Sequence, residues 1–250
     1  MTRLTKILLA GVALAASGSI VRAADLTEPV GPVVVETSGG FYLGSVSSLT
    51  FLDDTSFDVG GFTVNTDYDV GYYTGVRAGY SFGEMGFVTP RIELEVGMGN
   101  ASVDNHSVRG IGPLPSIDSY GDARTIQGYV NGYLDIPLGG ALSAITPYVG
   151  GGAGVMNLEL RRQGAVGGGF GATLMDDDDT RFAYHLDAGV GINIQELGLF
   201  TNFALLTNTT FDIGYRFTAA DNFSFTARDG SRSETDFRSH AIMVGFRKTF

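Results

Sequence analysis

The last fifteen residues, Asp236-Phe-Arg-Ser-His-Ala-Ile-Met-Val-Gly-Phe-Arg-Lys-Thr-Phe250, constrain the fold more than any other stretch. Counted in steps of two from the end, Phe250, Lys248, Phe246, Val244 and Ile242 share one face, while Thr249, Arg247, Gly245, Met243 and Ala241 share the other. A period of two is a strand. One face is mostly apolar, the other is mixed, small and charged, and the stretch closes on an aromatic residue. An apolar strand face in that place suits a bilayer-spanning barrel. There the apolar face meets lipid, and the last strand pairs with the first to remove the sheet edge.

The same strand resembles the C-terminal signature of bacterial outer-membrane β-barrels, an aromatic preceded by alternating apolar residues. The resemblance implies that Phe250, Phe246 and Val244 are read by the barrel-assembly machinery. Lys248 departs from it, standing where the family more often has an aromatic. A lysine at that level can snorkel to the membrane interface.

The other end of the chain predicts export. Arg3 and Lys6 precede a short apolar run, Ile7 to Ala16, and Val21-Arg22-Ala23 offers a cleavage site. Residues 1–23 therefore read as a signal peptide. The run is too short to span a hydrocarbon core of ~30 Å, which takes about 20 apolar residues. Residues 24–38, with two prolines, read as a flexible periplasmic lead-in, and 39–250 as the barrel domain. The formal net charge of −11 becomes −14 once Arg3, Lys6 and Arg22 leave with the leader. That balance argues against a nucleic-acid partner and against peripheral docking on anionic lipid. With no cysteine in the chain, disulfide and thiol chemistry are excluded.

Eight segments carry strand character: 40–52, 69–82, 88–100, 123–136, 145–160, 181–194, 209–219 and the closing stretch. The third alternates Ile92, Leu94, Val96 and Met98 against Arg91, Glu93, Glu95 and Gly97. Segments of about 11–16 residues exceed the five or six usual in soluble sheets and suit tilted membrane strands. Long polar links (53–68, 101–122, 161–180, 220–235) alternate with short ones (83–87, 137–144), the pattern of long extracellular and short periplasmic connections, with both termini periplasmic. The link 195–208 breaks the rule with an apolar run at 197–206. The fold expected is all-β: an eight-stranded, antiparallel, up-and-down transmembrane β-barrel behind a signal peptide.

In this order the chain resembles the small eight-stranded outer-membrane barrels: the OmpA-type transmembrane domain, OmpX, the opacity proteins and related alphaproteobacterial surface antigens. The residues that carry the resemblance are Gly40-Phe-Tyr-Leu-Gly44, Asn131-Gly-Tyr-Leu-Asp-Ile136, Thr146-Pro-Tyr-Val-Gly-Gly-Gly-Ala-Gly154, Ala183-Tyr-His-Leu-Asp-Ala-Gly-Val-Gly191, Phe211-Asp-Ile-Gly-Tyr-Arg-Phe217 and Val244-Gly-Phe-Arg247. The resemblance implies an outer-membrane location and insertion by the barrel-assembly machinery. It implies no single activity, and, unlike the full OmpA architecture, the chain is expected to lack a C-terminal peptidoglycan-binding domain.

Inward parity gathers Arg77, Arg91, Glu93, Glu95, Asp135, His185, Asp187, Asp212, Arg216 and Arg247. An eight-stranded barrel is filled by its own side chains, so these charges must pair. A salt-bridged plug is expected, with a narrow gated ion path as the alternative. Asp176, Asp177, Asp178 and Asp179 are weak candidates for a cation in the third long loop, lacking the alternation and closing glutamate of an EF-hand. No cofactor is implied. His106 falls in a loop. Ser239 and His240 point to opposite faces, and no serine stands with His185 and Asp187, so no catalytic set forms. Tyr72, Tyr80, Phe82, Tyr184, Phe217, Phe246 and Phe250 are candidates for interfacial girdles. The expected role is structural and surface-presenting: a monomeric barrel among outer-membrane lipid and lipopolysaccharide. Its four long loops would serve envelope integrity, adhesion or contact with a host or surface ligand. A small pore is the first rival and a lipid-modifying enzyme the second.

Overall fold

The computed structural model describes residues 38–109, 118–167, 170–197 and 207–250. The leader, the lead-in up to residue 37 and the apolar run from 198 to 206 lie outside the described residues. Ten strands are described: β1 (Ser38–Leu52), β2 (Thr55–Val59), β3 (Phe62–Tyr68), β4 (Gly71–Gly83), β5 (Thr89–Val108), β6 (Asp118–Asp135), β7 (Ile145–Gly167), β8 (Phe170–Asn193), β9 (Thr209–Thr226) and β10 (Arg232–Thr249). Eight of them close into an antiparallel ring, β1-β4-β5-β6-β7-β8-β9-β10. The closing stretch pairs with the first strand from Tyr42↔Thr249 to Leu52↔Ser239, so the ring has no free edge.

Alternation sorts the side chains as the sequence predicts. Leu43, Val76, Leu94, Val130, Val149, Leu186, Ile213 and Val244, one from each ring strand, are all exposed, giving an apolar band around the outside. Among the girdle candidates, Tyr72, Phe82, Tyr184, Phe246 and Phe250 are exposed and Tyr80 and Phe217 half-exposed. The Phe250 amide donates to the Phe41 carbonyl at 2.9 Å, and the Lys248 ammonium to the Thr207 carbonyl at 2.9 Å. The phase of β1, unassigned from sequence, puts Tyr42, Val46 and Ser48 inside. That of β7 puts Tyr148, Met156, Leu158 and Leu160 inside.

The strands are longer than expected, and this corrects the reading of the long links as loops. β7 and β8 run 23 and 24 residues and stay paired out to Gly167↔Phe170. β9 and β10 extend to Thr226 and from Arg232. The link 53–68 holds the β2–β3 hairpin, turning at Gly60 and Gly61, both in the left-handed region that glycine tolerates. Bulges mark where the ring ends: between Asp67 and Tyr68, Tyr120 and Asp122, Leu160 and Gln163, and Thr235 and Phe237.

Above these bulges the ring divides into three blades. β5 leaves β6 at Ser102↔Asp122 and pairs with β3, giving β2-β3-β5. The second blade is β6-β7-β8. The third is β9-β10 alone, because β8 and β9 part at Ala183↔Ala220. The blades enclose an apolar core of Phe57, Val64, Met156, Leu158, Leu160, Met175, Phe223, Phe225 and Phe237.

Candidate functional site

The site is built by inward parity on seven ring strands. All ten predicted lumen residues are buried. Six of them form a closed ring of alternating charge. Arg247 donates to both oxygens of Asp212 at 3.0 Å, and Arg77 Nη2 reaches Asp212 Oδ2 at 2.5 Å. Arg77 Nε lies 3.9 Å from Glu93 Oε2, too far for a hydrogen bond, which makes this the ring's weakest link. Arg91 Nη1 is 3.5 Å from Glu93, and Arg91 Nε sits 3.0 Å from both Asp135 oxygens. Arg247 Nη1 closes the circuit to Asp135 at 3.3 Å.

A second cluster centres on Arg216. It donates to both oxygens of Glu95 (2.5 and 3.0 Å) and both oxygens of Asp187 (2.9 and 2.8 Å). Paired two-point contacts of this kind fix a guanidinium in orientation as well as place. His185 Nδ1 lies 2.9 Å from Asp187 Oδ1, and its Nε2 2.9 Å from Asn131 Oδ1. Asn131 Nδ2 donates to Glu93 at 3.1 Å and to Glu95 at 3.3 Å, so one amide joins the two clusters.

Sequence reasoning passed over the tyrosines. Tyr42, Tyr73 and Tyr133 donate to Glu93, Glu95 and Asp187 at 3.0, 2.8 and 2.7 Å. The Arg91 guanidinium stacks 4.0 Å above the Tyr133 ring. These rings need bare backbone opposite them: a methyl at Gly79 would strike Tyr42, at Gly97 Tyr73 and at Gly150 Tyr133. Shared parity with the charges, together with inward glycines on the neighbouring strand, is the signal that could have found them.

Between the charge clusters and the blade core lies a small cavity of ≈ 30 Å³, lined by Ser48, Thr125, Gln127, Arg216, Thr218 and Phe237 among others. It has room for about two water molecules.

The remaining candidates fall elsewhere. Asp176 to Asp179 are not in a loop but on β8, and no group of metal-ligating side chains is found among the described residues. Their carboxylates serve the protein itself. Asp179 accepts from the Ser224 amide and Asp177 from the Thr226 amide, both at 2.8 Å. Asp176 pairs with Arg228 at 2.7 Å, and Asp178 accepts from Asn157 at 2.9 Å. Desolvation opposes ionisation of Asp179, but the Ser224 and Thr180 amides and Arg181 outweigh it and hold its carboxyl below the usual range. His106 is not in a loop either. It lies on β5, buried, with Nδ1 2.9 Å from Thr66 Oγ1, and burial lowers its pKa. Nearby, burial pushes the Tyr68 phenol up to about 12 despite hydrogen bonds with Thr55 and Gln163. Ser239 is buried inside, while His240 faces outward against Tyr215 and Phe217.

The family model of the outer membrane protein beta-barrel domain matches residues 10–250. Among solved structures, Neisserial surface protein A is 15% identical, covering 85% of this chain and 99% of its own, with a TM-score of 0.43. The outer membrane protease OmpT of Escherichia coli is 9% identical over 85% of this chain and 95% of its own, with a TM-score of 0.45. Ail, the attachment invasion locus protein of Yersinia pestis, is 13% identical over 85% and 99%, with a TM-score of 0.37. Identities this low carry no argument about activity. No curated protein matches the sequence.

Proposed function

Because this chain belongs to the outer membrane protein β-barrel family, we propose that it serves as a closed outer-membrane barrel, plugged by its own side chains, that presents the blade end at the cell surface. The termini and the short turns then face the periplasm. The observation that carries this reading is the closed circuit Arg247–Asp212–Arg77–Glu93–Arg91–Asp135 across the lumen. An ion crossing at that level must part buried pairs, each costing several kcal/mol to break. The blades above carry exposed charge, with Arg228, Asp229 and Arg232 at the β9–β10 turn. Such a surface suits adhesion, contact with lipopolysaccharide or a host ligand, or envelope integrity. The protein acts as a monomer among outer-membrane lipid, delivered by the barrel-assembly machinery through Phe250, Phe246 and Val244.

Three measurements test the reading together. The chain has no cysteine, so Arg232→Cys and Glu84→Cys introduce single thiols at the two ends. A membrane-impermeant maleimide should label Arg232→Cys on intact cells and Glu84→Cys only after lysis; the reverse pattern overturns the orientation. In a planar bilayer the purified protein should add no conductance steps. Reproducible ion-selective steps would favour the small gated pore, and a lipid A mass shift on expression would favour an enzyme.

A further inference from the structure

We propose that the β9–β10 blade is a flap that opens from the other two blades as a unit, uncovering the apolar chamber above the lumen charges. The argument starts from backbone hydrogen bonds. In the ring, every strand is held on both sides by a continuous ladder. Above Ala220 and Ser239 the β9–β10 ribbon keeps its internal ladder, Phe223↔Thr235 to Thr226↔Arg232, and at its base one backbone bond, from the Asp53 N–H to the Arg238 carbonyl at 2.9 Å.

Side chains hold most of both outer edges. Toward β8, the Ser224 and Thr226 amides donate to the carboxylates of Asp179 and Asp177, and one backbone bond, Arg228 N–H to Leu174 carbonyl at 2.9 Å, accompanies them. Toward β2, the Asp58 amide donates to Ser233 Oγ at 2.7 Å and the Gly60 amide to Asp229 Oδ2 at 2.6 Å. The other two blades have three strands each and keep two ladders.

A hinge lies at the base. Asp221 and Asn222 on β9 stand opposite the single residue Asp236, and Asn222 takes φ +61, a left-handed conformation that asparagine adopts more readily than most residues. A bulge interrupts the ladder and lets the ribbon bend there. The flap's inner face, Phe223 and Phe225, fills the chamber together with Phe237, which stands just below the hinge and also lines the cavity next to Arg216. Opening therefore uncovers the chamber down to Phe237.

Local opening is read by amide hydrogen exchange in detergent, with each amide compared to its intrinsic rate. In the wild-type protein, amides 223–226 and 232–235 should exchange together, at least tenfold faster than those of 155–160 on β7 and 211–217 in the ring. Asp177→Ala/Asp179→Ala removes two edge acceptors at half-buried positions. It should speed exchange of the flap at least threefold and leave the other two sets unchanged. The proposal is overturned if flap amides exchange as slowly as those of β7, or if all three blades exchange at one rate. It is equally overturned if the double variant leaves the flap unchanged or speeds every region alike. Should the variant not fold, the wild-type comparison alone decides.

Discussion

The two halves of the interior are buried by opposite means. The lumen half holds four arginines and five carboxylates in fixed pairs, under a ring whose every strand edge is bonded. The blade half holds phenylalanine, leucine and methionine, under walls whose edges are stitched by side chains. Directionality explains the difference. A buried ion pair is favourable only in a narrow range of geometry, so it needs a rigid frame. Apolar burial is non-directional and roughly proportional to area, so it tolerates a looser one.

The comparison breaks first, if it is wrong, at Arg216. Arg216→Met leaves Glu95 and Asp187 without their counter-charge, and ~3–5 kcal/mol of stability should be lost. The urea midpoint, followed by the loss of the SDS-resistant unboiled band expected of a closed barrel, reads this directly. Replacing all three together (Arg216→Met, Glu95→Gln, Asp187→Asn) should recover most of the loss, since no lone charge remains. A single variant costing under ~1 kcal/mol would mean that water reaches these groups freely. Arg216→Lys should cost less than Arg216→Met, since the ammonium restores a counter-charge, but should still destabilise, because it cannot repeat the two-point contacts to both carboxylates.

In the blade half, truncation should be costly and reshaping cheap. Phe225→Ala removes a fully buried ring and should cost ~3 kcal/mol. Phe225→Met roughly keeps volume and should cost about 1 kcal/mol, measured by the same midpoint. Equal losses from these two variants would show a core as geometrically demanding as the charge clusters, and the contrast would fall.

The smallest expected effect is a pH dependence confined to the blades. Asp179 is held below its ordinary value of 3.8 in the folded state. A depressed carboxylate stabilises fully above its unfolded value, and the contribution is lost as pH falls through the folded one. Flap protection should therefore hold from pH 7 to about 5 and weaken below about pH 4, in the wild type and not in Asp179→Ala. Identical profiles would remove Asp179 from the seam.

Much of the lumen half was legible beforehand. Ile92 to Met98 against Arg91 to Glu95 fixes which side of β5 faces lipid, and the same parity rule placed Asp135, Asp187 and Arg216 inside. The blade half was not legible, although Phe223-Ser-Phe225-Thr-Ala227 alternates clearly. Each bulge inserts unpaired residues and resets the parity, so a strand continuing past Gly121, Arg162 or Asn222 reads as a polar loop. Asp176 to Asp179 read as a loop for a related reason: four like charges in a row deny the apolar half of the pattern.

Read alone, the sequence shows that the chain alternates in eight long segments, that most charges of the ring segments sit on one parity, and that its last strand is mostly apolar on the lipid side. Those properties are local, set by a two-residue repeat that one strand can carry alone. The partners are chosen only on folding. Arg77 meets Asp212 and Arg216 meets Glu95 across 135 and 121 residues of chain. Such pairs exist only once eight strands have closed with one register. The register also decided that the long links rise as blades, because a bulge changes which face a residue takes only when a neighbouring strand is there to count against.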